Sequence, residues 1–142
     1  MHILIPEDVP FKISTTDINV FYSERGGAKI LLDVLSNENG IEKKYYPIQI
    51  FFEVVAELKC ITLNYYELNY ENYKIESNSS RSSNYSEIIG FYQVKNSTLL
   101  QQSLEKYDPK HRLNLSHYLI IGNDSYIELL ASRYSISYTN QP

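Results

Sequence analysis

Short apolar runs separated by turn residues open the chain. Residues 18–23 and 29–34 are rich in Ile, Val and Leu, and Glu24-Arg25-Gly26-Gly27 lies between them. Two such runs joined by a short glycine-containing segment predict a β-hairpin. Between residues 46 and 52 apolar side chains recur at every second position, which is the period of a half-buried strand. We therefore expect three strands in this part of the chain.

Residues 51–63 fit two patterns. Phe51, Val55 and Leu58 share one helical stripe, whereas the β-branched residues of the segment prefer a strand. We favour the strand. Farther along, residues 76–86 contain almost no apolar side chain, and this stretch is predicted to be an exposed, flexible loop within one domain.

One amphipathic helix is predicted over residues 98–107. Thr98 and Gln101 have the spacing of a capping box, and apolar residues at positions 100, 104 and 107 share one helical face. Asp108-Pro109 then ends the helix, because the residue before a proline disfavours helical geometry.

The remaining strands flank this helix. One is predicted at residues 88–94, and two more at 115–121 and 125–132 are joined by Gly122-Asn123-Asp124, a tight-turn signal. Alternation then continues to Tyr138. The strand at 115–121 is apolar on both faces, which indicates a central position covered on two sides.

These elements predict an α+β fold in a single domain of 142 residues. We expect a mainly antiparallel sheet, curled or sandwich-like, with about seven strands. The one main helix is expected to pack on one face of it.

The formal charge narrows the choice of partner. The chain carries 13 basic and 17 acidic residues, a net charge of −4, and its basic residues are scattered. Nucleic-acid binding needs clustered Lys and Arg, so a basic protein is the more plausible partner. The start of the chain lacks the pattern of a signal peptide and no apolar run reaches membrane-spanning length, so we expect a cytoplasmic protein without a membrane partner.

Patterns that would indicate catalysis or metal binding are missing from the sequence. His2, His111 and His117 show no ligand spacing, and Cys60, the single cysteine, is expected to be a small buried core residue. Neither nucleophile motifs nor phosphate-binding loops occur, so no cofactor and no metal are expected. We predict that the chain is not an enzyme.

One enzymatic alternative stays open. His117, Asp124 and Glu128 flank a single predicted hairpin and would supply an acid, a base and an orienting group. The competing interpretation makes Glu128 the outward-facing polar residue of an alternating strand and Asp124 an ordinary turn residue.

A tyrosine- and glutamate-rich segment is the strongest candidate for a partner surface. Residues 64–77 carry three acids and one lysine among four tyrosines. Tyrosine is common at interface hot spots, and acidic neighbours would orient a basic partner. The alternative is an ordinary strand in which half of the tyrosines pack inward. The partner-binding candidates are Tyr65, Tyr66, Glu67, Tyr70, Glu71, Tyr73 and Glu76.

Three further stretches carry a family resemblance. They are IQIFFEVVA (residues 48–56), VKNS (94–97) and LSHYLIIGNDSYIELLA (115–131). Together they resemble small bacterial proteins, some of which are similar to the immunity proteins of toxin–immunity systems. The resemblance implies a cytoplasmic, non-enzymatic inhibitor that blocks a toxin's active site or another essential surface, and it transfers no functional residues.

The sequence thus favours a protein-binding module, an immunity-type protein that neutralises a cognate basic toxin domain. A small hydrolase that uses His117 and Glu128 is one alternative. A structural subunit that forms homo-oligomers through its tyrosine-rich strands is another.

Overall fold

The structure is a computed structural model that describes residues 1–36, 45–70, 72–76 and 88–138. Two helices lie within these ranges, α1 (Tyr65–Leu68) and α2 (Thr98–Tyr107). The ten strands of the same ranges are β1 (His2–Pro6), β2 (Phe11–Ser23), β3 (Gly27–Ser36), β4 (Tyr45–Phe52), β5 (Val55–Ile61), β6 (Tyr73–Ile75), β7 (Gly90–Lys95), β8 (Ser116–Ile121), β9 (Tyr126–Ala131) and β10 (Tyr134–Tyr138).

The strands form two sheets. The six-stranded sheet has the order β5-β9-β8-β7-β1-β6, and the four-stranded sheet has the order β10-β4-β3-β2. Neighbouring strands are antiparallel except β1 and β6, which pair in parallel. Half of the eight described pairings join strands that follow one another in sequence. The others, β1 with β6 and β7, β5 with β9 and β4 with β10, join strands that are distant in the chain.

The main core lies between the two sheets. Alternate residues of β3 and β4, such as Ile30 and Ile50, point inward and are fully buried. From the six-stranded sheet, Ile120 and Leu129 meet them in the same apolar cluster. Phe52 joins the layers, since its ring lies 5.2 Å from that of Tyr118. The sheets therefore pack as a sandwich.

A second apolar cluster covers the opposite face of the six-stranded sheet. Leu4, Leu119 and Ile121 project onto this outer face, and Tyr65 of α1 packs over them. As a result β8 is buried on both sides, as the sequence predicted for a central strand.

The fold class is confirmed as mainly antiparallel β within α+β, but the prediction of about seven strands was too low. The strand β1 was missed. It has only 5 residues, which is too short for a clear alternating pattern, and its partners are distant in sequence. The 3 residues of β6 lie within the segment 64–77, for which a strand was the alternative interpretation. The prediction of one main helix holds for α2, while the single turn α1 was not expected.

Helix α2 has the predicted bounds but a different N-cap. Ser97, not Thr98, caps it, because the Ser97 Oγ accepts the Leu100 N–H at 3.0 Å. At the other end the backbone N–H of Asp108 donates to the Leu104 carbonyl, which confirms the predicted stop.

Of the remaining local predictions, two are confirmed, one is wrong and one concerns residues that lie almost entirely outside the described ranges. The hairpin of β2 and β3 is confirmed, and residues 55–61 form a strand, as favoured. Cys60 was predicted to be buried but is exposed, because it lies on β5 at the edge of its sheet. Apart from Glu76, the predicted loop at 76–86 lies outside the described residues.

Candidate functional site

The buried polar residues of the outer face come from three elements. His117 lies on β8 and Glu128 on β9, and the strand register makes them diagonal neighbours, since Glu128 faces Leu119 directly. Ser97 lies at the start of α2, which follows β7. The loop that connects this helix to the sheet thus brings a serine over a His–Glu pair.

These three side chains form a continuous hydrogen-bonded line. The Ser97 Oγ lies 2.6 Å from His117 Nδ1, and His117 Nε2 lies 2.8 Å from Glu128 Oε2. A carboxylate can only accept, so Nε2 carries a proton and donates it to Glu128. In the neutral ring Nδ1 then accepts from the Ser97 hydroxyl, whose oxygen in turn accepts the Leu100 N–H.

The charge of Glu128 is supported from two sides. Lys59 Nζ lies 3.8 Å from the other carboxylate oxygen of Glu128, Oε1, and 3.9 Å from Glu57 Oε1. Burial, the largest influence, raises the pKa of Glu128, but the hydrogen bond and charge of His117 together with the charges of Lys59 and His2 outweigh it. The pKa is therefore lowered below its ordinary value, and the carboxylate stays ionised.

A second histidine lies close to this line. His2 Nδ1 lies 2.9 Å from the hydroxyl of Tyr65, which holds α1 against β1. Burial lowers the pKa of His2, and the charge of His117 lowers it further, while Glu128 opposes both. Burial and the charge of His117 thus both favour the neutral ring, and the hydrogen bond makes His2 a structural partner of Tyr65.

The Ser97–His117–Glu128 line has the residue types of a hydrolytic triad, in the order nucleophile, base and orienting carboxylate. The low solvent exposure of these side chains argues for a structural role. Ser97 is 7 % exposed and His117 is 3 % exposed, and the same hydroxyl oxygen caps α2. The line ties the helix to the sheet.

The sequence identified part of this line. It paired His117 with Glu128, which the structure confirms at hydrogen-bond distance. Glu128 lies on the face opposite to Ile127 and Leu129, as the competing interpretation had it, but that face is covered and the side chain is only 17 % exposed. Asp124 was wrongly included, because it is exposed and accepts a hydrogen bond from Asn123 of the same turn at 3.3 Å. Ser97 was missed because no spacing links a helix cap to a later strand.

Neither a metal site nor a membrane helix emerges from the described residues. No group of three or more His, Cys, Asp or Glu among them could hold a metal ion. Neither of the two helices in these ranges has the length and apolar character needed to cross a bilayer.

The four tyrosines of the tyrosine- and glutamate-rich segment, residues 64–77, are buried to different extents. Tyr65 is 2 % exposed, so it lies beneath the surface on which the sequence placed it. Its ring packs edge-on against Tyr126 at 4.9 Å. Tyr66 and Tyr73 are half-buried. The inward packing of part of the segment agrees with the alternative interpretation, although residues 65–68 form a helical turn and not a strand.

The other candidates of this segment reach the surface or fall outside the description. Glu67 is exposed and Tyr70 is 60 % exposed. Glu76 is exposed too, but it pairs with Lys95 at 3.2 Å. Glu71 lies outside the described residues.

Two leucines that the sequence did not single out extend this surface. Leu63 is 53 % exposed and Leu68 is 52 % exposed. The sequence shows that these two side chains are hydrophobic. Whether they are exposed depends on the helical turn α1, which the sequence did not predict. We call Leu63, Glu67, Leu68 and Tyr70 the α1 surface. Its members all belong to the short stretch from β5 to the end of α1 and the turn after it.

No family model, curated protein or solved structure matches the chain.

Proposed function

We propose that the protein is a cytoplasmic binding module of the immunity type, which neutralises a cognate basic toxin domain by covering an essential surface. The observation that carries this proposal is the α1 surface, where Leu63, Leu68 and Tyr70 are each more than half exposed. The three lie within a stretch of eight residues, and large apolar side chains exposed near one another are typical of interaction sites.

The rigid support beneath the α1 surface favours binding. Tyr65 is buried under it, bonded to His2 at 2.9 Å, and Asn64 caps the turn by accepting the Glu67 N–H at 3.1 Å. Asn64 also donates to the Asn123 carbonyl at 2.8 Å. A surface fixed before binding loses little conformational entropy when a partner docks.

Charge favours a basic partner. The chain has a net charge of −4, and Glu67 is exposed on α1, next to Leu68 in the sequence. Acidic groups around an apolar centre steer a cationic protein and fix its orientation. Binding should therefore weaken as the salt concentration rises.

Co-expression with a toxin tests this proposal. The probe is a basic toxin domain encoded beside this chain, expressed with it in a host whose growth the toxin arrests. The wild-type chain should restore growth and co-purify with the toxin. The double variant Leu68→Ser/Tyr70→Ser should lose both effects while keeping its circular dichroism spectrum, because both side chains are exposed.

A matched control distinguishes the loss of the α1 surface from a general loss of exposed apolar side chains. Phe21 and Tyr22 are each 58 % exposed on β2, the edge strand of the other sheet. Phe21→Ser/Tyr22→Ser should retain full protection. If this control abolished protection and the α1 variant did not, the binding surface would lie on β2; if no neighbouring toxin were neutralised, the proposal would be wrong.

A second candidate function, ester or amide hydrolysis, is favoured by one observation, the Ser97–His117–Glu128 line. In that role the Ser97 oxygen would attack a carbonyl carbon while its proton passes to His117 Nδ1, which would then return it to the leaving group. A fluorophosphonate probe labels such serines. Labelling of the wild type but not of Ser97→Ala would establish the hydrolase, whereas an unlabelled protein that still protects from toxin would exclude it.

A further inference from the structure

A cleft lies at one end of the sandwich, away from α1. It has a volume of about 530 Å³, within the range of small-molecule sites. Three segments form its walls: the turn between β4 and β5, the start of β10 with the turn before it, and the loop after α2. The first two are tied together, since the Ser132 N–H donates to the Val54 carbonyl at 2.9 Å.

The loop wall is held in shape by a buried carboxylate. Asp108 is 4 % exposed and accepts the backbone N–H groups of Arg112 and Leu113 at 2.7 and 3.0 Å. His111 and Asn114 have positive φ values of 53° and 55°, a conformation that costs energy for residues other than glycine. The backbone of this loop is thereby fixed at the wall of the cleft that Arg112 lines.

The polar part of the lining is dominated by two arginines. Arg112 and Arg133 approach from opposite segments, the loop after α2 and the β9–β10 turn. Neither guanidinium forms an ion pair with any residue in the described ranges. Glu53 is the one acidic residue of the lining, so the cleft carries an excess positive charge of one in a chain that is acidic overall.

The apolar part of the lining comprises Phe51, Val54, Leu113 and Tyr134. Phe51 precedes the buried Phe52 on β4 and points to the other face of the sheet, where it lines the cleft. Tyr134 lies opposite Phe52, so its ring packs into the core, with its centroid 4.7 Å from that of Phe91. The cleft thus combines one aromatic ring with a pair of forked cationic donors.

We propose that this cleft binds a small organic anion that has a flat apolar body, with its carboxylate or phosphate group on Arg112 and Arg133. Guanidinium groups form paired, charge-assisted hydrogen bonds to both head groups. The body would rest on the Phe51 ring. This site is independent of the α1 surface and of the proposed partner.

Titration by NMR tests the proposal with four probes. Benzoate and phenyl phosphate carry both features, acetate has the charge without the ring, and benzyl alcohol has the ring without the charge. Benzoate or phenyl phosphate should shift the amide signals of Arg112, Asn114 and Arg133 saturably, and comparing the two assigns the head group. Acetate and benzyl alcohol should bind about tenfold more weakly or worse.

Two variants complete the test. Arg112→Gln/Arg133→Gln removes both cations from exposed positions and should weaken binding of the better probe by at least about tenfold. Arg25→Gln, in the exposed turn between β2 and β3, removes a cation outside the cleft and should change nothing. The proposal is overturned if neither aromatic anion saturates, if benzyl alcohol binds as tightly, or if the double variant retains full affinity.

Discussion

His117 donates a hydrogen bond to Glu128 across two neighbouring strands, with 2.8 Å between Nε2 and Oε2. His117 is 3 % exposed and the Glu128 side chain 17 % exposed, so the pair is largely withdrawn from water. Buried charges persist only where partners satisfy them. Lys59 and Ser97 complete this set, and the pair therefore links strand pairing to the start of α2.

Removing the histidine should destabilise the protein. His117→Ala leaves the Glu128 carboxylate with Lys59 at 3.8 Å as its remaining described ion partner and leaves the Ser97 hydroxyl without its acceptor. We expect a loss of about 2–4 kcal/mol in the free energy of unfolding, measured by urea denaturation. The exposed His111 is the control: His111→Ala should stay within about 0.5 kcal/mol. Equal effects of the two substitutions would contradict a special role for His117.

We expect acid to destabilise the fold by protonating Glu128. Its pKa is lowered from 4.5 because the His117 bond and neighbouring charges outweigh burial, which raises it. Its contribution to stability is thus complete above pH 4.5 and is lost as the pH falls through the lowered folded value. His2, whose pKa is lowered from 6.5, also favours unfolding when protonated, whereas Glu7, whose pKa burial raises, acts in the opposite direction.

Glu128→Gln isolates this carboxylate. Below about pH 5 the urea midpoint of the wild type should fall more steeply with decreasing pH than that of Glu128→Gln. Glu57→Gln is the matched control, because Glu57 also contacts Lys59, at 3.9 Å, and its curve should run parallel to that of the wild type. Parallel curves for all three proteins would show that Glu128 is not the acid-sensitive group.

The cap of α2 can be assigned by two adjacent substitutions. Ser97→Ala removes both the acceptor of the Leu100 N–H and the buried partner of His117 Nδ1, and should cost about 2 kcal/mol or more. Thr98→Ala should cost less than about 0.5 kcal/mol, since Thr98 is exposed and lies inside the helix. Thermal or urea unfolding measures both. A larger loss at Thr98 would restore the capping box that the sequence suggested.

The hairpin of β2 and β3 depends on one of its two glycines. Gly27 has φ +70°, and a Cβ there would lie 2.2 Å from the Phe52 carbonyl oxygen of the backbone. Gly27→Ala should therefore destabilise the protein by more than about 2 kcal/mol. At Gly26 a Cβ would meet the Ser23 Oγ at 2.5 Å, a side chain that can rotate away. Gly26→Ala should cost less than about 1 kcal/mol, and the same unfolding assay compares the two.

Local sequence was sufficient for the elements that repeat over a clear period. The β2–β3 hairpin and the bounds of α2 follow from apolar spacing and turn residues that lie next to one another in the chain. The central position of β8 follows because its residues are apolar on both faces. These features need no knowledge of distant partners.

Other features depended on pairing that no local pattern encodes. The short β1 is a strand because it pairs with β6 and β7, some 70 and 90 residues away. Cys60 is exposed since β5 lies at a sheet edge, and Tyr65 is buried since α1 folds over the outer cluster.

The sequence by itself therefore determined the β-rich class, most of the strands and the one long helix, and it offered the pairing of His117 with Glu128 as one of two interpretations. Only the tertiary structure decided that Ser97 completes their hydrogen-bonded line, which side chains form the α1 surface, and that Arg112 and Arg133 face one cleft. The physical reason is range. Periodicity and turn chemistry act over a few residues, whereas burial, buried charge pairs and clefts arise where segments distant in sequence pack together.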